Sequence, residues 1–117
     1  TCFIRQLADC CADNVPKFDF LATGAAAQYR DTSAGAIAAS GLTELAWYTG
    51  GALGAQYRQL AESIVDSLTT SAYLAPDTTD AVLLHAFGGW PSSGVDVPLI
   101  YGDYYFLEAI YRLKVSQ

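Results

Sequence analysis

The chain has little charge and very few cations. Of its 117 residues, 12 are acidic and 6 are basic, and charged residues make up 15% of the whole. An average soluble domain has about 25%. Hydrophobic residues make up 52%, which excludes intrinsic disorder, because a disordered chain combines low hydrophobicity with high charge. The few cations are scattered and form no basic stripe, so we expect no nucleic acid partner.

Long apolar runs, methionine and a leader sequence are missing as well. The longest nearly uncharged stretch, 32–47, is interrupted by polar residues and glycine. It is shorter than the roughly 20 apolar residues of a membrane span, so we expect no membrane partner. The chain begins with Thr1, contains no methionine and has no signal-peptide pattern. We therefore expect the numbering to start inside a longer chain.

Cysteine and histidine are too scarce to predict a metal site. Cys10 and Cys11 are adjacent, no C-x-x-C motif occurs, and the only histidine is His85. On one helix, Cys2 and Cys10 would lie about 12 Å apart, too far for a disulfide. We therefore expect the three cysteines to be buried or idle thiols.

The spacing of apolar residues predicts a helical chain. Asp31 and Asp103 each precede an apolar stripe and can accept hydrogen bonds from a first helical turn, so both are predicted N-caps. Pro16 ends the first helix, and Gly50 follows the second. The predicted helices cover 2–12, 32–48, 53–72 and 103–113, and the residues from 17 to 30 form a connection anchored by Phe18 and Phe20.

The second and third predicted helices differ in their polarity. The second contains one charged residue, Glu44, whereas one side of the third is polar throughout. This contrast predicts an inner helix followed by an outer helix, joined by a tight turn. The predicted inner face of the second helix consists of Ala34, Ala38, Gly41, Leu42 and Leu45. A helix buried on both faces fits a segment of a larger body better than a small free-standing domain.

Two short apolar runs, 81–86 and 95–100, flank an aromatic loop. They predict a β-hairpin or a pair of extended arms. Three motifs carry a resemblance to a known family. They are the short FDF at 18–20 and two long ones, DTSAGAIAASGL at 31–42 and DVPLIYGDYYFLEA at 96–109. Their order and spacing resemble the C-terminal end of the unsaturated glucuronyl hydrolases, glycoside hydrolase family 88.

The resemblance implies an all-α fold of the (α/α)6 barrel type. Residues 1–117 would form the C-terminal segment of one such domain, covering the last third of the barrel. The N-terminal part of the barrel would be its structural partner. Family members release a 4,5-unsaturated uronic acid from oligosaccharides left by polysaccharide lyases. An aspartic acid protonates the C4=C5 bond, water adds at C5, and the resulting hemiketal opens, unlike the two-carboxylate displacement of ordinary glycosidases. The resemblance implies no cofactor and no metal.

The family's catalytic aspartates lie in earlier barrel segments, so we expect no catalytic residue here and no activity of the isolated chain. Asp31 and Asp103 are interpreted as caps, because a cap works as a carboxylate whereas a general acid must carry a proton. The predicted substrate-binding residues are His85, Phe87, Trp90, Ser92 and Ser93. The aromatic rings offer flat faces to a sugar and the serines offer hydroxyls. The loop has no Lys or Arg, which disfavours a sulfated sugar.

A second hypothesis remains open at this point. The helix pairs and the excess of acidic over basic residues also fit a non-catalytic helical interaction module or a degenerate hydrolase remnant. That hypothesis predicts a monomeric protein of 12.5 kDa that melts cooperatively. The hydrolase hypothesis predicts further helical hairpins upstream of this chain.

Overall fold

The chain folds into four α-helices in the computed structural model, which describes residues 2–91 and 93–115. In chain order, the helices are α1 (Cys2–Cys10), α2 (Thr32–Thr49), α3 (Gly51–Leu68) and α4 (Ile100–Val115), with a short 3₁₀ helix, Gly24–Gln28, before α2. Within these described residues there is no sheet, so the predicted all-α class is confirmed. No helix in the same residues is long and apolar enough to cross a membrane.

Helices α2 and α4 are parallel neighbours. Near their starts, a Cβ atom on Gly102 would lie 3.0 Å from the Ser33 Cβ. Further along, the Arg112 side chain reaches Glu44, with 2.7 Å between Nη1 and Oε2. The contacts thus advance in the same direction along both helices.

Helix α3 runs back along α2 in the opposite direction. Next to the turn between them, Gly54 packs against the Ala46 carbonyl, and at the far end Gly35 faces the side chains of Ile64 and Leu68. Glycine at position 54 is required by this close approach, because an added Cβ would lie 2.6 Å from the Ala46 oxygen. Helices α2 and α3 thus form an antiparallel hairpin, and the predicted tight turn between them at Gly50 is confirmed.

The buried face of α2 differs from the predicted one. Gly41 and Leu45 are exposed, the latter by 44%. The helix instead buries Thr32, Ser33, Gly35, Ala36, Ala39, Ser40, Leu42 and Thr43. The sequence pattern could not select the face, because α2 has small or apolar residues all round. The four buried hydroxyl groups that lie on this face are satisfied by hydrogen bonds, which offset their desolvation.

Two predicted helix ends were also wrong. Helix α3 ends at Leu68 and not at 72, because the chain then turns, with the Thr69 and Thr70 hydroxyls donating to main-chain carbonyls of the last turn. Helix α4 begins at Ile100, and the Asp103 amide already donates to the Leu99 carbonyl. Asp103 is therefore a first-turn residue of α4 and not its N-cap.

The predicted hairpin near 81–100 is an extended loop. Ala86 and Val97 exchange two main-chain hydrogen bonds of 3.0 Å each, but this pairing is an isolated bridge, as is the pairing of Leu74 with Leu83. The bridge brings the two arms together at the base of a loop, of which the structure describes residues 87–91 and 93–96. This is the second of the two predicted arrangements.

The cysteines do not match the expectation of three free thiols. Cys10 and Cys11 are joined in a disulfide between sequence neighbours, and Cys2 is free and exposed. Helix α1 ends at Cys10, so Cys11 has left helical geometry, and it is buried in the core with 2% exposure. The sequence argument weighed only the distance between Cys2 and Cys10 and missed this pair.

Candidate functional site

The start of α2 organises the loops around it through Asp31. The carboxylate caps the helix, accepting from the Ser33 amide at 3.0 Å and from the Ala34 amide at 3.2 Å. The same oxygen accepts from the Phe87 amide at 3.3 Å. The predicted cap is confirmed, and it also ties the aromatic loop to the helix start.

A second anchor lies beside it at the start of α4. The Asp103 carboxylate accepts hydrogen bonds from the amides of Val82 and Leu83, at 3.1 and 2.8 Å. The main chain of Thr32 donates to the His85 carbonyl at 3.1 Å. Both predicted aspartates therefore hold main-chain amides of the 81–87 segment in place.

Four aromatic side chains meet next to these anchors and form what we call the aromatic cluster, namely Phe18, Tyr29, Phe87 and Trp90. The rings of Phe18 and Phe87 are stacked, with centroids 4.0 Å apart and planes inclined by 16°. The Trp90 ring lies nearly parallel to both, at 6.0 and 6.3 Å. Trp90 is 55% exposed, so the cluster presents a flat apolar surface to solvent. Flat aromatic surfaces with polar neighbours are typical of small-ligand sites.

A pocket of about 460 Å³, which we call the polar pocket, opens beside the aromatic cluster. Its lining consists of Gln28, Tyr29, Arg30, Ala72, Tyr73, His85 and Asp96. His85 and Asp96 are paired, with 2.6 Å between Nδ1 and Oδ1. Both have left-handed backbone geometry, with φ of 60° and 56°. Because such geometry is costly for residues with a side chain, the surrounding loop must hold it in place.

The inner wall of the polar pocket is closed by a hydrogen-bonded group around Tyr73. The Tyr73 hydroxyl donates to Asp13 at 2.5 Å, and the Arg30 guanidinium lies 3.5 Å from the same carboxyl group. Burial, the hydrogen bond to Asp13 and the negative charge of Asp13 together raise the pKa of Tyr73 to about 12, although Arg30 acts in the opposite direction. The hydroxyl therefore stays protonated and fixed at neutral pH.

Three of the five predicted binding residues lie in the aromatic cluster or the polar pocket. Phe87 and Trp90 lie in the aromatic cluster, whereas His85 lines the polar pocket. Ser93 is exposed in the loop, and Ser92 lies outside the described residues. Sequence reasoning missed Tyr29 and Asp96 and took Phe18 only as an anchor. No local pattern could have revealed Phe18 and Tyr29, because contacts between distant parts of the chain join them to Phe87 and Trp90. Asp96, in contrast, is the first residue of the third motif.

Residues 2–91 and 93–115 contain no group of three or more His, Cys, Asp or Glu side chains that could hold an ion. No protein-family model matches the chain.

Individual proteins, in contrast, are clearly similar. The unsaturated glucuronyl hydrolase of Formosa agariphila is 41% identical over 103 residues, which cover 86% of this chain and 25% of that protein. A solved unsaturated glucuronyl hydrolase specific for heparin superposes with a TM-score of 0.86 at 34% identity, covering 97% of this chain and 31% of that one. A third match is a variant of an unsaturated glucuronyl hydrolase (UGL) solved with dGlcA-Glc-Rha-Glc. It superposes with a TM-score of 0.84 at 28% identity, covering 97% of this chain and 31% of that one.

The chain thus spans about a quarter to a third of the length of the proteins it matches. The match extends over nearly all of the chain, and it holds for the sequence and for the arrangement of the helices. Sequence and fold together identify the chain as homologous to part of the α/α-barrel unsaturated glucuronyl hydrolases.

Proposed function

We propose that the chain is the C-terminal segment of an (α/α)6 hydrolase that releases 4,5-unsaturated uronic acid from lyase-generated oligosaccharides. The similarity to unsaturated glucuronyl hydrolases supports this function, as does the unsaturated uronic-acid saccharide bound by one of them. The reaction is hydration of the C4=C5 vinyl ether. The N-terminal part of the same barrel is the structural partner of the chain.

In this proposal the chain binds the sugar and the rest of the barrel supplies the catalytic acid. The carboxylates of Asp31 and Asp103 are engaged by main-chain amides of α2 and of the 81–87 segment. This supports a structural role for both. The isolated chain is therefore inactive in the proposal.

The observation that carries the binding role is the flat surface of the aromatic cluster. It lies where the parallel helices α2 and α4 begin, because Asp31 and Asp103 tie the preceding loops to those starts. A pyranose ring packs its apolar C–H face on such a surface. Trp90, whose ring is nearly parallel to those of Phe18 and Phe87, is the proposed platform for the sugar that follows the uronic acid. The proposed polar partners are His85, Ser92 and Ser93.

The charge of the loop supports an uncharged sugar at this position. Between 87 and 96 there is no Lys or Arg, and the one charged residue is Asp96. A sulfate or carboxylate group on the platform would therefore find no cation within the loop. Cations that bind the uronic acid itself belong to other parts of the barrel in this proposal.

The test uses the full-length protein that carries this segment. Hydrolysis of an unsaturated disaccharide is followed through the loss of its C=C absorbance. Trp90→Ala should raise KM about fivefold, since loss of one aromatic contact costs on the order of 1 kcal/mol, and kcat should change by less than about threefold. Trp47→Ala removes an exposed aromatic side chain at the opposite end of α2 and should leave KM within about twofold.

Two results would contradict the proposal. Absence of hydrolysis by the wild-type protein on any unsaturated disaccharide removes the activity, and a native mass near 12.5 kDa would then favour an interaction module or a degenerate remnant. Equal effects of Trp90→Ala and Trp47→Ala would remove the binding role of the platform while leaving the activity intact.

A further inference from the structure

We infer that Cys10 and Cys11 form a redox switch, and that reduction of their disulfide by a dithiol weakens sugar binding by the aromatic cluster. The disulfide lies at the end of α1. From there, the segment 11–16 leads towards the start of α2. This inference rests on the proposed function, because it concerns the regulation of the proposed sugar platform.

The position of this disulfide does not suit a structural cross-link. A disulfide stabilises a protein chiefly by closing a loop of the unfolded chain, and its effect grows with the length of that loop. Cys10 and Cys11 are sequence neighbours, so their bond closes the shortest loop that two cysteines can form. It joins no distant parts of the fold. The bond instead fixes the local backbone where α1 ends and the segment 11–16 begins.

The two cysteines differ in their access to solvent. Cys11 is 2% exposed and belongs to the hydrophobic core, whereas Cys10 is half-buried and packs against that core. Thiol–disulfide exchange begins with attack of a thiolate on a sulfur that it can reach. A small dithiol therefore attacks the Sγ atom of Cys10.

Reduction transfers two electrons from the dithiol to the protein. One thiolate of the dithiol bonds to the Cys10 sulfur, the S–S bond breaks, and the Cys11 sulfur leaves as a thiolate. The second sulfur of the dithiol then attacks the mixed disulfide, which forms a cyclic disulfide and releases the Cys10 thiolate. The two protons of the dithiol pass to the two protein sulfurs. A small-molecule disulfide reverses the reaction.

Hydrogen bonds of the segment 11–16 connect the cysteine pair to buried polar groups. The Asn14 amide donates to the Cys11 carbonyl at 2.9 Å. The neighbouring Asp13 accepts from the Tyr73 hydroxyl at 2.5 Å, and its carboxylate lies 3.5 Å from the Arg30 guanidinium. A change in the backbone at Cys11 therefore alters the position of Asp13 and of the groups that it holds.

The same segment continues into the aromatic cluster. The Pro16 carbonyl accepts from the Asp31 amide at 2.8 Å, and the Phe18 amide donates to the Tyr29 carbonyl at 3.3 Å. The Phe18 ring in turn stacks on Phe87, with centroids 4.0 Å apart. When reduction frees the backbone at the end of α1, two of the four rings are held less firmly. Sugar binding then has to order them and becomes weaker.

The experiment uses the full-length protein in two forms, one oxidised with a small-molecule disulfide and one reduced with dithiothreitol. Trypsin cleaves after Arg5 and Lys17, so the peptide 6–17 contains the cysteine pair without Cys2. Alkylation of the unfolded protein, followed by the mass of this peptide, counts the free thiols of the pair. KM and kcat for an unsaturated disaccharide are measured on both forms.

We expect the peptide 6–17 to carry no alkyl group in the oxidised form and two in the reduced form. Reduction should raise KM about threefold, less than loss of a whole ring, and should change kcat by less than about twofold. Reoxidation should restore KM. Cys10→Ser, which keeps Cys11 in the core, should show the raised KM in both forms. Cys2→Ser removes the free, exposed cysteine and should respond as the wild type does.

Each failure has its own meaning. Two alkyl groups on the peptide after oxidation show that the pair does not close, and an equal KM of the two wild-type forms shows that the bond does not act on the sugar platform. Either result overturns this inference and leaves the proposed function standing. A response to reduction that persists in Cys10→Ser overturns it as well. Absence of hydrolysis by both forms overturns the proposed function and this inference together.

Discussion

Ser40 on α2 donates a hydrogen bond to Glu108 on α4, with 2.5 Å between Oγ and Oε2. Arg112, one turn further along α4, donates to the Ser40 carbonyl at 3.1 Å and lies 3.5 Å from the Glu108 carboxylate. These contacts join the two parallel helices below the level of the aromatic cluster. They fix the register of α2 against α4 and, through it, the relative positions of the two helix starts.

Ser40→Ala is predicted to lower the free energy of unfolding of the full-length protein by about 1 to 2 kcal/mol, because it leaves Glu108 without its buried hydroxyl donor. Ser40 is 2% exposed, so its hydroxyl lies within the buried contact between α2 and α4. Urea unfolding measures the change. Ser63→Ala, which removes a hydroxyl bonded only within α3, should cost less than about 0.5 kcal/mol. Equal losses in the two variants would contradict a special role for the Ser40–Glu108 bond.

Gly54→Ala is predicted to destabilise the protein by about 1 to 3 kcal/mol through overpacking. The added Cβ would lie 2.6 Å from the Ala46 carbonyl oxygen and would force α2 and α3 apart. Helix propensity alone predicts the opposite sign, a gain of about 0.5 to 1 kcal/mol. Gly41→Ala, where the added Cβ would meet nothing within 4 Å, should show that gain. Thermal unfolding of both variants measures these changes. A Gly54→Ala protein that is more stable than the wild type would contradict the close approach of α3 to the Ala46 carbonyl.

Asp31→Asn is predicted to keep kcat within about tenfold of the wild-type value, because the side-chain oxygen of Asn can still cap α2 and accept from Phe87. Asp31→Ala removes the acceptor and should cost about 1 to 2 kcal/mol of stability. If Asp31 were a general acid, both variants would lose on the order of 100-fold or more in kcat. Comparing kcat and the unfolding midpoint for the two variants separates the alternatives.

The raised pKa of Tyr73 predicts that the folded protein loses stability in alkaline solution. Its pKa is raised from 10.0 to about 12 in the folded protein. Between these values the unfolded chain loses the proton while the folded protein retains it, so stability falls as the pH rises through this window. The loss amounts to about 2 to 3 kcal/mol, and the full contribution is present below pH 10.

Tyr73→Phe is the control for this window, because it removes the titrating hydroxyl and leaves the ring. The difference in unfolding free energy between wild-type and variant, measured from pH 9 to 12, should shrink by about that amount. All other titrating groups are common to both proteins and cancel. If the unfolding free energies of the two proteins changed with pH in the same way from pH 9 to 12, the shifted pKa of Tyr73 would be contradicted.

Much of the fold could be predicted from local patterns. The Asp31 cap and the glycine turn at Gly50 follow from the hydrogen-bonding needs of helix ends, which nearby residues must meet. The expectation of an inner helix followed by an outer helix rests on the difference in polarity between α2 and α3. The buried face of α2 could not be predicted, because small residues surround that helix and its neighbours alone select the face.

The residues of the candidate site likewise divide into those that local sequence reveals and those that only the folded chain brings together. Phe87 and Trp90 were predicted from their loop, since exposed aromatic residues beside glycine and proline are locally visible. Tyr29 was not, because only the folded chain brings it to Trp90. Asp103 was taken for a cap, but its contacts with Val82 and Leu83 depend on how the loop returns to α4.

The sequence by itself determined the helices, their polarity and the kinship with unsaturated glucuronyl hydrolases, because these depend on short-range spacing and on ordered motifs. The tertiary structure alone decided which faces are buried, which carboxylates hold the loops, and that the aromatic cluster and the polar pocket share Tyr29. The physical reason is that those properties arise from contacts between segments far apart in the chain, whose geometry is set by packing.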